Sequence, residues 1–332
     1  MILKYFALIL MLGLGVGAAR ADVAQTVNDR ILPDLAGFRM AAQQLADKAA
    51  TSCDPEILRP AWNAAFDAWL RVGFLHLGPG EEQGRNLAIA FWPDPKGIGA
   101  RQQRQMLAAQ DPVVNDPAKF AQTSVALRGL FGLERLLYPA ALPEGEGADD
   151  YSCALIRATA ADLARMAAEI DAGWRDGYAQ TLLSAGQPGN TTFLSDTEAR
   201  QALYTQLMAG FEFVADQRLG RPLGTFDRPR PERAEARASG RSVRNIELSL
   251  QALMDFATVL AGDTPRTRAD VDLALAAAGG LDDPALAGLS EPQKYVRAEN
   301  LRQRVQTAQD TAETEVGKAL GVEIGFNSAD GD

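Results

Sequence analysis

The 332-residue sequence contains only one histidine, His76. Most catalytic zinc sites use two or three histidines, and Ser-His-Asp or Cys-His catalysis needs one beside a nucleophile. A single imidazole can support few of these sites, so most of the usual hydrolytic designs are excluded. Binding or chemistry must rest mainly on carboxylates, arginines, hydroxyls and aromatic rings.

Several short functional motifs are missing as well. The sequence has no Gly-x-x-x-x-Gly-Lys-Ser/Thr loop, no His-Glu-x-x-His pair, no Cys-x-x-Cys pair and no Gly-x-Ser-x-Gly turn. Each of these patterns is typical of a known class of nucleotide-binding, metal or catalytic site. The formal charge of −10 also argues against nucleic acid as a partner.

The first 21 residues have the pattern of a cleaved signal peptide. Lys4 precedes an apolar run over residues 5–17, and the small-residue cleavage pattern Ala19-Arg20-Ala21 follows. We therefore expect export and cleavage after Ala21. The run is too short for a retained membrane span, so we expect no stable membrane insertion. Without Lys4 and Arg20 the formal charge changes from −10 to −12.

Cysteine is also scarce, since Cys53 and Cys153 are the only two. In an exported chain, an isolated pair favours a disulfide over a metal site. The bridge would close a loop of about 100 residues and stabilise the fold by roughly 4–5 kcal/mol in the chain-entropy model. It would tie the first helical hairpin to the start of a later helix.

No segment sustains the two-residue alternation of a half-buried strand, whereas helical spacing recurs along most of the chain. Helix-start signals accompany this spacing. They lie at Asp54-Pro55, at Ser195 with Glu198, at Thr264-Pro265, and at Ser290 with Gln293. The sequence therefore predicts an all-α fold.

Two breaks in the helical pattern suggest how the chain is divided. Residues 77–99 contain five glycines and three prolines, which indicates a long loop that is either functional or packed across the end of a bundle. Residues 186–190, Gly-Gln-Pro-Gly-Asn, are typical of an interdomain linker. We predict a signal peptide over 1–21, an N-terminal helical bundle over 22–186 and a C-terminal helical bundle over 187–332.

The segment from Thr123 to Tyr138 resembles the signature helix of the imelysin-like family. Four more stretches are similar to that family, and they are residues 62–79, 91–94, 233–242 and 320–332. The resemblance implies two four-helix bundles related by pseudo-twofold symmetry, with a site near their junction. It also implies a periplasmic or cell-envelope location. The family includes an insulin-cleaving metallopeptidase and proteins that accompany iron uptake.

The family motif Gly-x-His-x-x-Glu is degenerate in this chain. Gly129 and Glu134 match it, but Phe131 stands at the histidine position. A histidine and a glutamate three residues apart share one helical face and could hold one cation. Phenylalanine has no lone pair to donate, and Glu134 alone suits oxygen-preferring cations better than zinc. A zinc peptidase mechanism is therefore disfavoured.

We predict Glu134 as a metal ligand, with His76 as a ligand from another element. The cofactor would be a divalent metal ion or iron. An alternative interpretation pairs Glu134 with an arginine and gives His76 ordinary hydrogen bonds at a helix end. Both interpretations stay open at this point.

The predicted ligand-binding residues are Trp92, Asp94, Glu235, Ser239, Ser242 and Arg241. A tryptophan offers a stacking face and an aspartate a polar group, so the first two suit a pocket wall. Spacings of four and three place Glu235, Ser239 and Ser242 on one helix face. Arg241 is a candidate for binding an anion. A tryptophan lid and a solvated helix face would explain the same residues.

These observations favour a non-catalytic accessory of iron or metal acquisition that binds a metal ion or small ligand between two helical bundles. Its expected partners are envelope components of iron uptake. A cell-envelope metallopeptidase that uses Glu134 is one alternative. A protein-interaction module without metal is the other.

Overall fold

The computed structural model describes residues 23–138 and 150–322. The predicted signal peptide, with its cleavage after Ala21, lies outside the described residues. Within the described ranges the regular structure is helical and no β-strand forms, apart from an isolated bridge between Thr225 and Arg228. The all-α prediction is confirmed.

The helices of the N-terminal half are numbered α1 to α7. Their bounds are Val23–Gln25, Thr26–Ile31 and Leu32–Thr51 for the continuous α1, Pro55–Leu70 for α2, Arg85–Ile89 for α3, Ile98–Ala109 for α4, Pro117–Phe120 for α5, Gly129–Leu137 for α6, and Asp150–Gly173, Trp174–Tyr178 and Ala179–Leu183 for the continuous α7. Short 3₁₀ turns lie at Gly78–Gly80, Glu82–Gly84, Pro112–Asn115 and Val125–Leu127.

The C-terminal half contains α8 to α11. Their bounds are Asp196–Glu212, Phe213–Gly220 and Arg221–Leu223 for the continuous α8, Ser242–Ala261 for α9, Pro265–Gly279 for α10, and Pro292–Leu320 for α11, with a 3₁₀ turn at Pro231–Arg233. The middle segments of α1, α7 and α8 have π-helical geometry. None of the helices in residues 23–138 and 150–322 combines the length and apolar character needed to cross a membrane.

The helices pack as two groups that share one core. In the N-terminal half α1 packs on α2 and α7, and α6 packs on α2 and α7. In the C-terminal half α10 packs on α11, and α8 packs on α9 and α11. Helix α9 crosses between the groups, since it also contacts α2 and the start of α1. One apolar core runs through both halves, and the boundary at residues 186 and 187 stays a prediction.

Local signals explain where several helices begin. Asp54 accepts a hydrogen bond of 2.9 Å from the amide of Glu56, and Ser195 accepts one of 3.2 Å from the amide of Glu198. These side chains satisfy amides that a helix leaves unpaired in its first turn. The prediction for α11 is wrong by one residue, because Glu291 and not Ser290 precedes the first helical residue. A proline fits that first position.

The segment over residues 77–99 contains more regular structure than the sequence predicts. Two 3₁₀ turns, helix α3 and the start of α4 lie within it. The segment packs beside α7. Gly78 contacts Tyr178 of that helix, and Pro79 contacts Gly173. It therefore forms a wall of the N-terminal half, and the functional site described below lies on one side of it.

The predicted disulfide between Cys53 and Cys153 is present. Cys53 lies between α1 and α2, and Cys153 lies in the first turn of α7. Their Cα atoms are 5.4 Å apart and the bridge spans a sequence separation of 100. The bond ties the α1–α2 hairpin to the start of α7, as the sequence predicts.

Replacing both cysteines by serine should lower the free energy of unfolding by up to about 4–5 kcal/mol, because the unfolded chain regains the entropy of an open loop of that length. Urea unfolding followed by circular dichroism measures the change. The reductant dithiothreitol should destabilise the wild type and leave the double variant unaffected. Equal stability of the two oxidised proteins would contradict a structural role for the bridge.

Candidate functional site

Glu134 joins the two halves of the protein. It projects from α6 and is 6% exposed. Its Oε1 atom accepts hydrogen bonds from the Ser239 amide at 3.0 Å and the Ser239 hydroxyl at 2.7 Å. Ser239 lies in the turns that precede α9 in the C-terminal half. These two hydrogen bonds connect the N-terminal half to the C-terminal half.

Burial has the largest effect on the pKa of the Glu134 carboxyl. Burial raises the pKa of the Glu134 carboxyl above its ordinary value. The two hydrogen bonds from Ser239 and the charge of Arg135 oppose this change in pKa, whereas the charge of Glu235 adds to it. The buried Glu134 carboxyl therefore links α6 to the turns before α9 through hydrogen bonds.

The other two motif positions have structural roles. Gly129 has φ +67°, and a Cβ atom there would lie 2.2 Å from the carbonyl oxygen of Ala88. Only glycine fits this close approach at the start of α6. Phe131 is buried and packs edge-on against Phe66, with ring centroids 5.5 Å apart. The position of the family histidine is thus part of an aromatic core.

His76 does not join Glu134. Its Nδ1 atom lies 3.0 Å from Oε1 of Glu81, and its backbone amide donates to the Gln206 side chain at 2.8 Å. Across the described residues, no three His, Cys, Asp or Glu side chains lie close enough to hold a metal ion together. The residues around Glu134 therefore do not fit a bound metal ion, and the metal assignment of Glu134 and His76 stays a prediction.

A chain of five polar side chains crosses the junction, and we call it the junction network. Its members are Asp67, Arg241, Asn245, Glu235 and Arg218. Arg241 donates to Asp67 at 2.6 Å and to Asn245 at 2.9 Å. Asn245 donates to Glu235 at 2.9 Å, and Glu235 accepts from Arg218 at 2.6 Å. The network runs from α2 through α9 to α8.

The predicted shared helix face of Glu235, Ser239 and Ser242 is wrong. Only Ser242 lies in a helix, as the first residue of α9, and the other two lie in the preceding turns. Positive φ values of 48° at Ala236 and 71° at Gly240 interrupt any helix there. The turns still bring Ser242 close to Glu235, since the Ser242 hydroxyl donates to the backbone carbonyl of Glu235 at 2.6 Å.

A cavity of about 480 Å³ lies beside the junction network. Much of its wall is aromatic, from Trp69, Phe74, Trp92 and Phe213. Trp92 meets Phe213 edge-on with ring centroids 5.9 Å apart. The volume is within the range of roughly 300–1,000 Å³ that small-molecule sites occupy in proteins. The cavity therefore has the size and the apolar lining of a ligand site.

Two polar groups of residues border the same cavity. Arg218, Glu235 and Ser249 form its largely buried end, where Arg218 donates to Glu235 at 2.6 Å and to Ser249 at 2.9 Å. The exposed His76 and Glu81 lie at its opening. Because the Arg218 and Glu235 charges offset each other, the buried end is polar but close to neutral.

The predicted site residues fall into three groups. Trp92, Glu235 and His76 border the cavity. Arg241, Ser242, Ser239 and Glu134 belong to the polar contacts behind the Glu235 end. Asp94 borders neither, because its carboxylate accepts from the amides of Ile98 and Gly99 and so caps α4.

Sequence reasoning missed Arg218 and Ser249. The two side chains meet although 31 positions separate them, and Arg218 lies in the π-helical segment of α8, where the usual helical spacing fails. No motif in the sequence marks either residue as part of a site.

Replacing Glu134 with Gln should change how stability depends on pH. A raised pKa means that the folded protein holds the proton more tightly, so this contribution to stability is present at low pH and is lost as pH rises through the folded-state pKa. The free energy of unfolding of Glu134→Gln relative to the wild type should therefore increase as the pH rises from about 4 through the raised pKa of Glu134. Urea titrations across that range measure it.

Ser239→Ala provides the control for this experiment, because it keeps the carboxyl but removes the hydroxyl donor. It should be less stable than the wild type by about 1–3 kcal/mol. A pH-independent difference between Glu134→Gln and the wild type would show that burial does not perturb this carboxyl.

Comparison with known proteins places this architecture in a family. The family model described as Imelysin matches residues 31–312. Iron-regulated protein A of Synechococcus elongatus is 29% identical over 214 residues, which are 62% of this chain and 53% of that protein. The chain thus matches about half the length of this curated relative.

Two solved structures share the fold. An imelysin-like protein of Psychrobacter arcticum superposes with a TM-score of 0.74 at 18% identity, covering 92% of this chain and 98% of that one. A Parabacteroides distasonis protein described as an iron-regulated protein A precursor has a TM-score of 0.71 at 12% identity, covering 89% and 94%. The family model, which spans most of the sequence, shows that the chain belongs to the imelysin family.

Proposed function

We propose that this protein is an exported, non-catalytic accessory of iron acquisition that binds a small ligand in the cavity beside the junction network. The observation that carries the proposal is the cavity itself, with aromatic walls and a polar end built by Arg218, Glu235 and Ser249. The descriptions of two relatives as iron-regulated proteins support the link to iron. The word precursor in one description supports export.

The cavity walls favour a planar, mostly apolar ligand. Aromatic side chains attract flat rings through stacking and edge-on contacts. At the buried end, Arg218 already donates two hydrogen bonds to Glu235 and one to Ser249. A ligand group there meets an ion pair and a hydroxyl with little net charge, so an uncharged hydroxyl or carbonyl fits better than a carboxylate.

The two alternative functions have less support. A metallopeptidase needs a metal held by several ligands, and the contacts of Glu134 are two hydrogen bonds from Ser239. An interaction groove for a partner segment needs no convergent polar groups, whereas three buried or largely buried polar side chains converge at one end of this cavity. Envelope components of iron uptake remain the proposed partners.

Filling the cavity should weaken ligand binding. Ala209 is an exposed helical residue that borders the cavity, so Ala209→Trp places a large ring there without enlarging the core. With naphthol as the probe, this variant should bind at least about tenfold more weakly than the wild type, equivalent to about 1.4 kcal/mol. Calorimetric titration measures the affinity. Ala269→Trp, on the exposed face of α10, is the matched control and should bind normally.

The charge of the probe provides a second comparison. Naphthoate should bind at least about tenfold more weakly than naphthol, because its carboxylate would lose hydration next to Glu235 without a free cation to pair with.

Metal analysis of the wild type and of Glu134→Ala, both purified from the periplasm, tests the metal alternative. Naphthol binding unchanged by Ala209→Trp, together with metal content lost in Glu134→Ala, would overturn the proposal.

A further inference from the structure

A second cavity lies on the other side of the segment that bears Glu81 and Asn86. It has a volume of about 390 Å³ and belongs entirely to the N-terminal half. Six polar residues line it, and they are Gln83, Arg85, Gln122, Thr123, Arg128 and Arg165. Every charged side chain in this lining is an arginine. The wall thus has a chemistry opposite to that of the aromatic cavity.

The three arginines are held in place by two carboxylates behind them. Asp162 accepts from Arg128 at 3.2 Å and from Arg165 at 2.6 Å. Glu169 accepts from Arg165 at 2.7 Å and from Arg85 at 2.8 Å. Neither carboxylate lines the cavity. The alternating chain Arg128–Asp162–Arg165–Glu169–Arg85 therefore has three positive and two negative charges.

This arrangement leaves donors for a ligand. A guanidinium has five N–H groups, and Arg128 uses one in its contact with Asp162. Glu82 pairs with Arg85 at 3.2 Å, but its side chain is 64% exposed and an anion could displace it. Two side-chain amides add uncharged donors at the rim. They belong to Gln83, which has φ +54°, and to the exposed Gln122. The carboxylates fix the guanidinium groups before any ligand arrives, which lowers the entropy cost of binding.

We propose that this arginine-lined cavity binds a small polycarboxylate. Planar guanidinium groups match carboxylates and phosphates in two-point hydrogen bonds. Three arginines from three separate segments suit a ligand with carboxylates at several positions. A phosphate ion would fill little of a cavity of about 390 Å³. The site is independent of the aromatic cavity, so either proposal can fail alone.

Calorimetric titration of the full mature protein with tricarballylate tests the proposal. The wild type should bind one tricarballylate per chain, more tightly than phosphate and much more tightly than butyrate, which has a single carboxylate. Added salt should weaken binding. Failure of tricarballylate to bind, or tighter binding of phosphate, would overturn the polycarboxylate assignment.

Gln122→Glu is the most informative variant, because it adds one negative charge at the rim and Gln122 is exposed. It should weaken tricarballylate binding at least about tenfold. Gln251→Glu, on the exposed face of α9, makes the same chemical change away from both cavities and should have no effect. Arg165→Gln should also weaken binding, while Asp162 keeps Arg128 as a partner.

Naphthol binding distinguishes this proposal from the proposed function. Gln122→Glu should leave naphthol affinity unchanged, and Ala209→Trp should leave tricarballylate affinity unchanged. If Gln122→Glu and Gln251→Glu both bind tricarballylate as the wild type does, the ligand sits elsewhere and the assigned site is wrong.

Discussion

The junction depends on the hydrogen bonds of the buried Arg241 guanidinium. Removing such a charge from water costs several kcal/mol unless partners replace the lost hydration. Arg241 finds them in both halves, with Asp67 on α2 and Asn245 on α9, and it also lies 4.6 Å from the centroid of the Phe66 ring. The two halves therefore meet in an arrangement that pairs this charge with a carboxylate of the opposite half.

The consequences reach both the family motif and the cavity. Phe131 packs against Phe66, the same ring that Arg241 approaches, so the aromatic side chain at the histidine position strengthens the apolar support beneath the network. On the other side, Asn245 positions Glu235, which holds Arg218 at the polar end of the cavity. The phenylalanine at position 131 is thus compatible with the family fold, because it packs into the aromatic core.

Local signals in the sequence predicted the fold well. The helix starts at Asp54 and Ser195 depend on neighbouring residues, and the structure confirms both. The disulfide was predictable because the chain has only two cysteines, and the structure confirms it as well. The site was only partly predictable. The family resemblance marked Glu134 and Ser239 as candidate residues but not their contact. Arg218 meets its partners through a π-helical segment and through turns with positive φ. Contacts between residues far apart in the chain produce no regular spacing in the sequence that could predict them.

We expect the junction network to shape the aromatic cavity from a distance. Asp67 lies at the far end of the network and does not line the cavity, so the naphthol affinity of Asp67→Asn measures whether the network affects the cavity. We expect affinity to fall at least about tenfold while the variant stays folded, because Arg241 loses its charged partner. The exposed Asp47→Asn should bind normally. Unchanged naphthol affinity in a folded Asp67→Asn protein would show that the junction network does not shape the cavity.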